Sequence, residues 1–313
     1  MAPLVSVIVP CHNAGRWIGD TLTSIERQRY AALETIVVDD GSTDDSIAVI
    51  ERWGKANVIR QSQQGVSAAR NRGTVAASGA FILYLDADDV LAEDTIAQRV
   101  AAIERSGADV AYSDWVRWEL QPDGSFRDGE EYQRVLGDRP DVELLTDGWW
   151  PPGALLYRRS LIDRILPWRQ DLPVIQDARF LLDAALAGGR FAHVPGAGLR
   201  YRVHGSTSLS RRDPQQFLRD VHRSVSDLDA RWTRASAIDD LRRLALVRVY
   251  AYLARSFFTI DRATFDSVVT RLYELDPNFL PEQPQHFRAL SRFVGYRAAE
   301  HIALGWRAVK PWR

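Results

Sequence analysis

Three aspartates, Asp86, Asp88 and Asp89, stand within four positions directly after an apolar run that is typical of a buried strand. Carboxylates this close repel one another, and a hard divalent cation coordinated through oxygen removes that cost. Mg²⁺ typically takes one or two carboxylates together with substrate phosphates, and Mn²⁺ accepts the same ligands. An acidic turn that caps the following helix is the alternative, and it would be preferred if the triplet stood alone.

Two further segments carry groups suited to a nucleotide. Asp40 follows a second apolar run, where its carboxylate can accept a hydrogen bond from a base N–H and Gly41 allows a tight turn. Arg70 lies in a predicted helix that leads into the acidic triplet, and a guanidinium there can hold a diphosphate by paired hydrogen bonds. The alternatives are a strand-to-helix turn capped by Ser42 or Thr43, and a surface arginine.

The elements that must position these residues alternate along the first 112 residues. Apolar runs typical of strands occur at 5–9, 35–38, 58–59, 81–85 and 109–112, and helical periodicity occupies 14–29, 43–53, 66–77 and 93–105. This alternation predicts an α/β fold with a mostly parallel central sheet flanked by helices. Ligands of such sheets bind at the carboxyl ends of the strands, where His12 and Asn13, Asp39 and Asp40, and Asp86 and Asp88 are expected to converge.

The rest of the chain divides into a less regular segment and a helical one. Asp123-Gly124 is typical of a hairpin turn after a strand at 115–120, and residues 177–186 and 194–203 have the patterns of a helix and a strand. Residues 214–313 carry mainly helical periodicity, which predicts a helical C-terminal extension.

Composition argues against several classes of protein. The formal net charge is −1 over 313 residues, so no global field favours nucleic acid. Cys11 is the only cysteine, which rules out a disulfide within the chain. The N-terminal residues lack the pattern of a signal peptide, and no apolar run approaches the roughly 20 residues that span a bilayer. We expect a cytoplasmic protein, either soluble or bound peripherally at the inner face of the plasma membrane.

Together the motifs resemble the family-2 inverting glycosyltransferases, whose nucleotide-sugar-binding fold is called GT-A. The matching residues are 5–10 with Asn13, then 38–44, 65–73 and 85–89. The resemblance covers roughly residues 4–210. It implies a GT-A domain at 1–213, with a donor half at 1–112 and an acceptor half at 113–213, followed by the helical extension at 214–313.

The resemblance also implies roles on the donor side. Pro10 and His12 would flank the nucleobase pocket, with Asn13 beside them in the donor-binding set. Asp40 would read the base, and Asp86 would lie near the ribose.

Three further roles concern the metal and the chemistry. Asp88 would bind Mn²⁺ or Mg²⁺, and His204 matches a histidine that approaches the metal or the diphosphate; a surface histidine is the alternative. Asp177, which follows Gln176 at the start of a predicted helix, matches the catalytic-base motif of the family. For Asp177, the alternative is an N-terminal helix cap.

The implied activity is transfer of a sugar from a nucleotide-diphosphate-sugar donor to a hydroxyl of a saccharide or lipid-linked saccharide, in bacterial polysaccharide biosynthesis. A non-catalytic homologue that binds a glycan or a nucleotide is the alternative. Nucleotidyltransferases and dinucleotide-dependent dehydrogenases are excluded because the first strand is followed by no Gly-rich phosphate loop.

Residues 286–313 are basic and interleaved with aromatic side chains. Six basic residues and one acidic residue fall in this segment. A basic amphipathic helix of this kind can lie on an anionic membrane surface. Packing on the catalytic domain or on a second protomer is the alternative.

Overall fold

The computed structural model describes residues 2–203, 213–282 and 284–309. The chain divides into two compact units, which we call the sheet unit (Met1–Pro214) and the helical unit (Gln215–Arg313). In the part of the sheet unit that the structure describes, nine strands form one sheet. They are β1 (Val5–Cys11), β2 (Leu33–Asp40), β3 (Asn57–Gln61), β4 (Phe81–Tyr84), β5 (Val90–Leu91), β6 (Val110–Leu120), β7 (Phe126–Tyr132), β8 (Leu155–Arg158) and β9 (Phe191–Val203).

The strands lie in the order β3-β2-β1-β4-β8-β6-β9-β5, and β7 pairs with β6 beside this path. β3, β2, β1 and β4 are parallel neighbours, and β6 is parallel to β9. β8 runs antiparallel between β4 and β6, and β5 runs antiparallel to β9. The predicted α/β fold with a mostly parallel sheet is confirmed.

Helices connect the strands and pack on the sheet. They are α1 (Ile18–Glu26), α2 (Ser46–Trp53), α3 (Val66–Ala76), α4 (Thr95–Ser106), α5 (Pro140–Thr146), α6 (Arg159–Ile165) and α7 (Gln176–Leu186), with a 3₁₀ turn at Pro152–Ala154. A Cβ atom at Gly73 would clash with the Ile8 side chain, so this glycine lets α3 lie directly on β1. Arg70, about one helical turn earlier, is thereby brought close to the sheet.

Several predicted elements have other boundaries in the structure. The helix predicted at 14–29 spans only Ile18–Glu26. The strands predicted at 109–112 and 115–120 are one continuous strand, β6, because β6 pairs with β9 along almost its whole length and with β7 beyond Asp114. The predicted hairpin turn is confirmed, and Gly124 adopts a φ of +83° in it.

The helical unit contains α8 (Pro214–Arg234), α9 (Asp240–Phe257), α10 (Arg262–Leu275), α11 (Gln285–Val294) and α12 (Tyr296–Val309). Leu246, Leu253 and Phe265 are fully buried in its core. The Asp239 and Asp261 side chains accept hydrogen bonds from backbone N–H groups in the first turns of α9 and α10 and so cap these helices. Over the residues described, no helix is both long and apolar enough to cross a membrane.

The C-terminal segment packs partly on its own unit. Phe287 of α11 and Tyr296 of α12 are buried, with ring centroids 5.9 Å apart, and Tyr296 also contacts Phe279 at 5.6 Å. Gly295, with a φ of +79°, separates the two helices. Phe293 remains 87% exposed. The part of the segment that the structure describes is therefore two helices, which bury Phe287 and Tyr296 and present Phe293 to solvent.

Candidate functional site

The carboxyl ends of β1, β2 and β4 lie at one edge of the sheet, because the three strands are parallel neighbours. Cys11 is in register with Asp39, and Ile8 with Tyr84. Neighbouring strands are about 4.8 Å apart. The polar residues that follow these strands therefore stand side by side, and we call positions 10–13, 39–43 and 86–89 the strand-end site.

Asp40 ends β2 and is almost fully buried, at 4% exposure. Its Oδ1 accepts hydrogen bonds from Gln61 Nε2 at 2.7 Å and Gln64 N at 2.8 Å, and its Oδ2 accepts one from Gly65 N at 2.7 Å. The carboxylate thus fastens the loop between β3 and α3 to the end of β2. Of the four lone-pair positions of a carboxylate, three are used by this loop.

His12 and Asn13 form the wall of the site beyond β1, whose Pro10 is buried. His12 Nδ1 lies 2.8 Å from the Asp40 carbonyl oxygen, which can only accept, so Nδ1 carries the proton and Nε2 is an acceptor. The amide nitrogens of Asn13 and Gln63 both lie 3.2 Å from Nε2 and donate to it. Asn13 adopts a φ of +52°, and its side chain accepts a hydrogen bond from Thr43 N at 2.8 Å.

The acidic turn after β4 holds its three carboxylates in different surroundings. Asp86 pairs with Arg70 at 2.6 Å, whereas Asp89 is 1% exposed and accepts a hydrogen bond from Arg202 N at 2.9 Å. Burial raises the pKa of Asp89 well above its ordinary value, and the charges of Asp88 and Asp86 raise it further. Asp89 Oδ2 is buried and has no hydrogen-bond partner among the residues described.

Arg202, near the end of β9, is a residue of the site that was not predicted from the sequence. Its Nε donates to the Asp88 carbonyl oxygen at 2.6 Å, and its Nη2 pairs with Asp20 at 2.8 Å. The guanidinium lies over the rings of Trp17 and Trp118, 4.7 and 4.3 Å from their centroids. Arg202 therefore fixes the acidic turn against β9. This contact was not predicted because the sequence around Arg202 shows only the pattern of a strand.

Arg70 is buried at 1% exposure, so the alternative of a surface arginine is wrong. Besides the Asp86 pair, its guanidinium lies 4.4 Å from the Trp168 ring centroid. Its Nε and Nη1 are buried and have no hydrogen-bond partner in the described part of the chain. The positive charge of Arg70 is thus held underneath the acidic turn.

Asp177 lies in the first turn of α7, two positions after the N-cap residue Ile175, and its Oδ1 accepts a hydrogen bond from the Ala178 N–H at 2.8 Å. Trp149 Nε1 donates a hydrogen bond to Asp177 Oδ2 at 2.9 Å. Burial raises the pKa of Asp177, and the charge of Asp86 raises it further; the Trp149 hydrogen bond and the charge of Arg70 oppose this increase. Arg70 and Asp86 therefore lie within electrostatic range of Asp177.

Tyr201 marks the point where the acidic groups converge. Burial raises the pKa of its hydroxyl, and the charges of Asp89, Asp86, Asp177 and Asp88 all act in the same direction. Four carboxylates from two distant parts of the chain therefore lie within electrostatic range of one phenol. Of the predicted residues, Arg70, Asp86, Asp88 and Asp177 form this group, while Pro10, His12, Asn13 and Asp40 lie at the neighbouring ends of β1 and β2. His204 lies outside the described residues.

A hard divalent cation suits the chemistry of the acidic turn. Asp88 is half-buried beside the partnerless oxygen of Asp89, and oxygen ligands are those that Mg²⁺ and Mn²⁺ prefer. Within the described ranges, no three His, Cys, Asp or Glu side chains are arranged to hold a metal ion. Carboxylates of this turn would therefore need additional ligands such as substrate phosphates.

Comparison with known proteins identifies the relatives of this chain. The family model described as Glycosyl transferase family 2 matches residues 6–166. EpsH of Bacillus subtilis, named a putative glycosyltransferase, is 30% identical over 69% of this chain and 65% of its own length. The chain covers about half to two thirds of the length of the first curated relatives that it matches.

Solved structures share the fold. S. aureus TarS 1–349, in complex with UDP-GlcNAc, superimposes with a TM-score of 0.63 at 18% identity, over 99% of this chain and 93% of TarS 1–349. The mannosyltransferase PcManGT of Pyrobaculum calidifontis, in complex with GDP-Man and Mn²⁺, gives a TM-score of 0.57 at 19% identity, over 98% of this chain and 88% of that protein. The chain therefore has the GT-A fold and belongs to glycosyltransferase family 2.

Proposed function

We propose that this chain is an inverting glycosyltransferase that moves a sugar from a nucleotide-diphosphate-sugar donor to a hydroxyl acceptor. The observation that carries the proposal is a set of contacts that links Asp177 to the acidic turn. Asp177 is hydrogen-bonded to Trp149, whose ring packs on Tyr201. Arg202, the next residue after Tyr201, is hydrogen-bonded to Asp88 and Asp89. The acidic turn suits a cation that is bound to phosphate, and Asp177 supplies a base.

Asp177 acts as the general base. The acceptor O–H bond breaks, and its proton passes to the Asp177 carboxylate. The acceptor oxygen forms a bond to the anomeric carbon while the bond from that carbon to the diphosphate oxygen breaks with its electron pair. A single displacement inverts the configuration. The raised pKa of Asp177 makes its carboxylate a stronger base than an exposed aspartate.

The donor nucleotide lies along the ends of β1 and β2, between Pro10, His12, Asn13 and Asp40. Support comes from the exposed ring of His12 and from the Asp40 carboxylate. Among the residues described, three donors bind this carboxylate, which leaves a fourth lone-pair position for a base N–H. The neighbour TarS was solved with UDP and with UDP-GlcNAc. The ribose then falls near Asp86.

Asp88 would hold Mn²⁺ or Mg²⁺ together with the donor phosphates, and His204 would be the second protein ligand. When bound, the cation neutralises the charge that grows on the departing nucleoside diphosphate. The Arg70 guanidinium adds positive charge below the turn and orients Asp86 through their ion pair at 2.6 Å. PcManGT was solved with Mn²⁺, which supports the choice of metal.

The acceptor is a saccharide or a lipid-linked saccharide, as expected in assembly of a bacterial polysaccharide on the cytoplasmic side of the membrane. Contact with an anionic membrane surface would use residues 286–313. Arg288, Arg292 and Phe293 of α11 are all exposed there, which combines positive charge with an apolar ring.

The testing experiment uses UDP-GlcNAc and GDP-mannose as probes, with Mn²⁺. We expect calorimetry to detect binding of one of them that EDTA abolishes, and the wild type to release the nucleoside diphosphate. Asp177→Asn should lower turnover by roughly 10²–10⁴ and leave donor binding near normal. Asp163→Asn, an exposed aspartate on α6, is the matched control and should change neither.

Two outcomes would contradict parts of the proposal. Turnover of Asp177→Asn equal to that of Asp163→Asn would remove Asp177 from the base role. Donor binding without turnover in the wild type, across saccharide acceptors and water, would favour the non-catalytic homologue.

A further inference from the structure

Trp149 touches the carboxylate assigned as the base, although no motif drew attention to this interaction. Its indole N–H donates to Asp177 Oδ2 at 2.9 Å, across 28 positions of sequence. Asp177 Oδ1 accepts from the N–H of Ala178 at 2.8 Å. Both oxygens are therefore held, and one of the two donors is a side chain from another segment.

The ring of Trp149 is fixed by two other aromatic residues. It meets Trp115 of β6 edge-to-face, with centroids 5.3 Å apart and planes at 90°, and Tyr201 of β9 at 5.6 Å and 83°. Edge-to-face pairs prefer this geometry, so the indole has little freedom to turn its N–H away. The packing of β6 and β9 against the indole therefore determines the direction of its hydrogen bond to Asp177.

The loop that carries Trp149 is anchored from below. Trp150 is buried and lies 5.2 Å from the Tyr112 ring centroid. Arg99, also fully buried, donates to the Gly153 carbonyl oxygen at 2.7 Å and to Ser113 Oγ at 2.7 Å. The main chain on the C-terminal side of Trp149 is therefore tied to α4 and β6.

The groups that face Asp177 have opposing charges. Arg70 from α3 favours the carboxylate, and Asp86 from the acidic turn disfavours it. In the described part of the chain, Tyr157 of β8 and Tyr201 of β9 are further titratable groups that interact with Asp177. Burial raises the pKa of both hydroxyls, so they are neutral at physiological pH. The Trp149 N–H is a neutral donor that favours the ionised form of Asp177.

We propose that Trp149 is a positioning residue that holds the Asp177 carboxylate ionised and oriented towards the acceptor hydroxyl, an inference that rests on the proposed function of Asp177 as base. An indole suits this role because it donates and cannot accept, so it does not compete for the acceptor proton. Its planar ring also gives the acceptor an apolar wall next to the base.

The test compares Trp149→Phe with Trp150→Phe, which changes the same residue type in the same loop without touching Asp177. Loss of the indole N–H destabilises the ionised carboxylate, so the pKa of Asp177 rises. The acid limb of the pH profile of kcat/KM for UDP release then moves to higher pH. On that limb, kcat/KM should be about tenfold below the wild type, because the free energy of a hydrogen bond to a charged group corresponds to about a tenfold change in an equilibrium constant. On the plateau, the loss should be smaller. Trp150→Phe should keep the wild-type profile.

A second variant separates the N–H from the ring. Replacement of Trp149 by 3-benzothienylalanine keeps the bicyclic ring and removes the donor, and it should reproduce the shifted acid limb even if Trp149→Phe unfolds. In an Asp177→Asn background, Trp149→Phe should cause no further loss. An unshifted acid limb with benzothienylalanine, or equal losses in both backgrounds, would overturn the proposal.

Carbon NMR of the Asp177 carboxyl group distinguishes this inference from the proposed function. The resonance is assigned by its loss in Asp177→Asn and titrated in the wild type and in Trp149→Phe. A titration that moves to higher pH supports the Trp149 contact even if no donor is turned over. An unchanged titration in a folded variant contradicts it, whatever the activity.

Discussion

Replacing Asp40 by asparagine keeps the shape of a buried side chain but exchanges one oxygen acceptor for an NH₂ donor. If the amide oxygen takes the place of Oδ1, the bonds from Gln61 and Gln64 survive, and the new NH₂ group faces the Gly65 N–H. The opposite rotamer keeps one bond and loses two. The first rotamer is therefore preferred, and it leaves one buried N–H opposed by another donor.

An unpaired buried donor costs about 1–3 kcal/mol, and the two remaining bonds lose their charge-assisted strength. We therefore expect Asp40→Asn to destabilise the sheet unit by about 2 kcal/mol. For a unit of this length, that lowers the melting temperature by about 4–8 °C. Calorimetry of the full chain measures the shift.

Asp45→Asn is the matched control, since Asp45 is exposed at the N-cap of α2 and makes no side-chain capping hydrogen bond. Its effect should lie within about 0.5 kcal/mol. The reasoning about Asp40 is refuted if the two variants melt at the same temperature. The looser loop at 61–65 should also weaken UDP-GlcNAc binding in Asp40→Asn and not in Asp45→Asn.

Two further predictions concern the helical unit. Arg271→Met should destabilise this unit by about 2–4 kcal/mol in urea denaturation, because it leaves the buried Asp229 carboxylate without the guanidinium that Arg271 holds at 2.7 Å. Arg243→Met removes an exposed ion pair and should leave the denaturation midpoint near that of the wild type. Equal midpoints for the two variants would contradict the role of the buried pair. Phe293→Glu should abolish co-flotation with liposomes that contain anionic lipid. It should not lower the melting temperature, because this ring is 87% exposed. Unchanged flotation of the variant, or no flotation of the wild type, would show that α11 does not contact the membrane.

The sequence alone was sufficient for the parallel half of the sheet. Strands β1, β2 and β4 are continuous apolar runs, and such runs followed by helical periodicity leave few arrangements other than parallel strands covered by helices. That inference also placed Asp40, Asp86 and Asp88 at one edge, because parallel strands end on the same side.

The second half of the sheet was less predictable. β8 is antiparallel between two parallel strands, and β5 is only two residues long, so neither has a periodicity that reveals its direction. The length of β6 depends on its pairing with two other strands. One is β9, which lies far along the chain, and the other is β7, the second strand of the hairpin. Pairing on both sides, rather than local propensity, decides where that strand ends.

Residue types and their spacing determined which side chains carry the chemistry: an acidic turn after a buried strand, an aspartate near a helix start, an arginine on the helix between. Only the tertiary structure decided how each is used. It buried Arg70 against Asp86 and used most of the hydrogen-bonding positions of the Asp40 carboxylate for residues 61–65. It also brought Trp149 and Arg202 into contact with groups that are distant in sequence. Periodicity reports which face of an element is buried, whereas the partner of a buried polar group depends on which distant donor arrives within hydrogen-bond distance once the strands have packed.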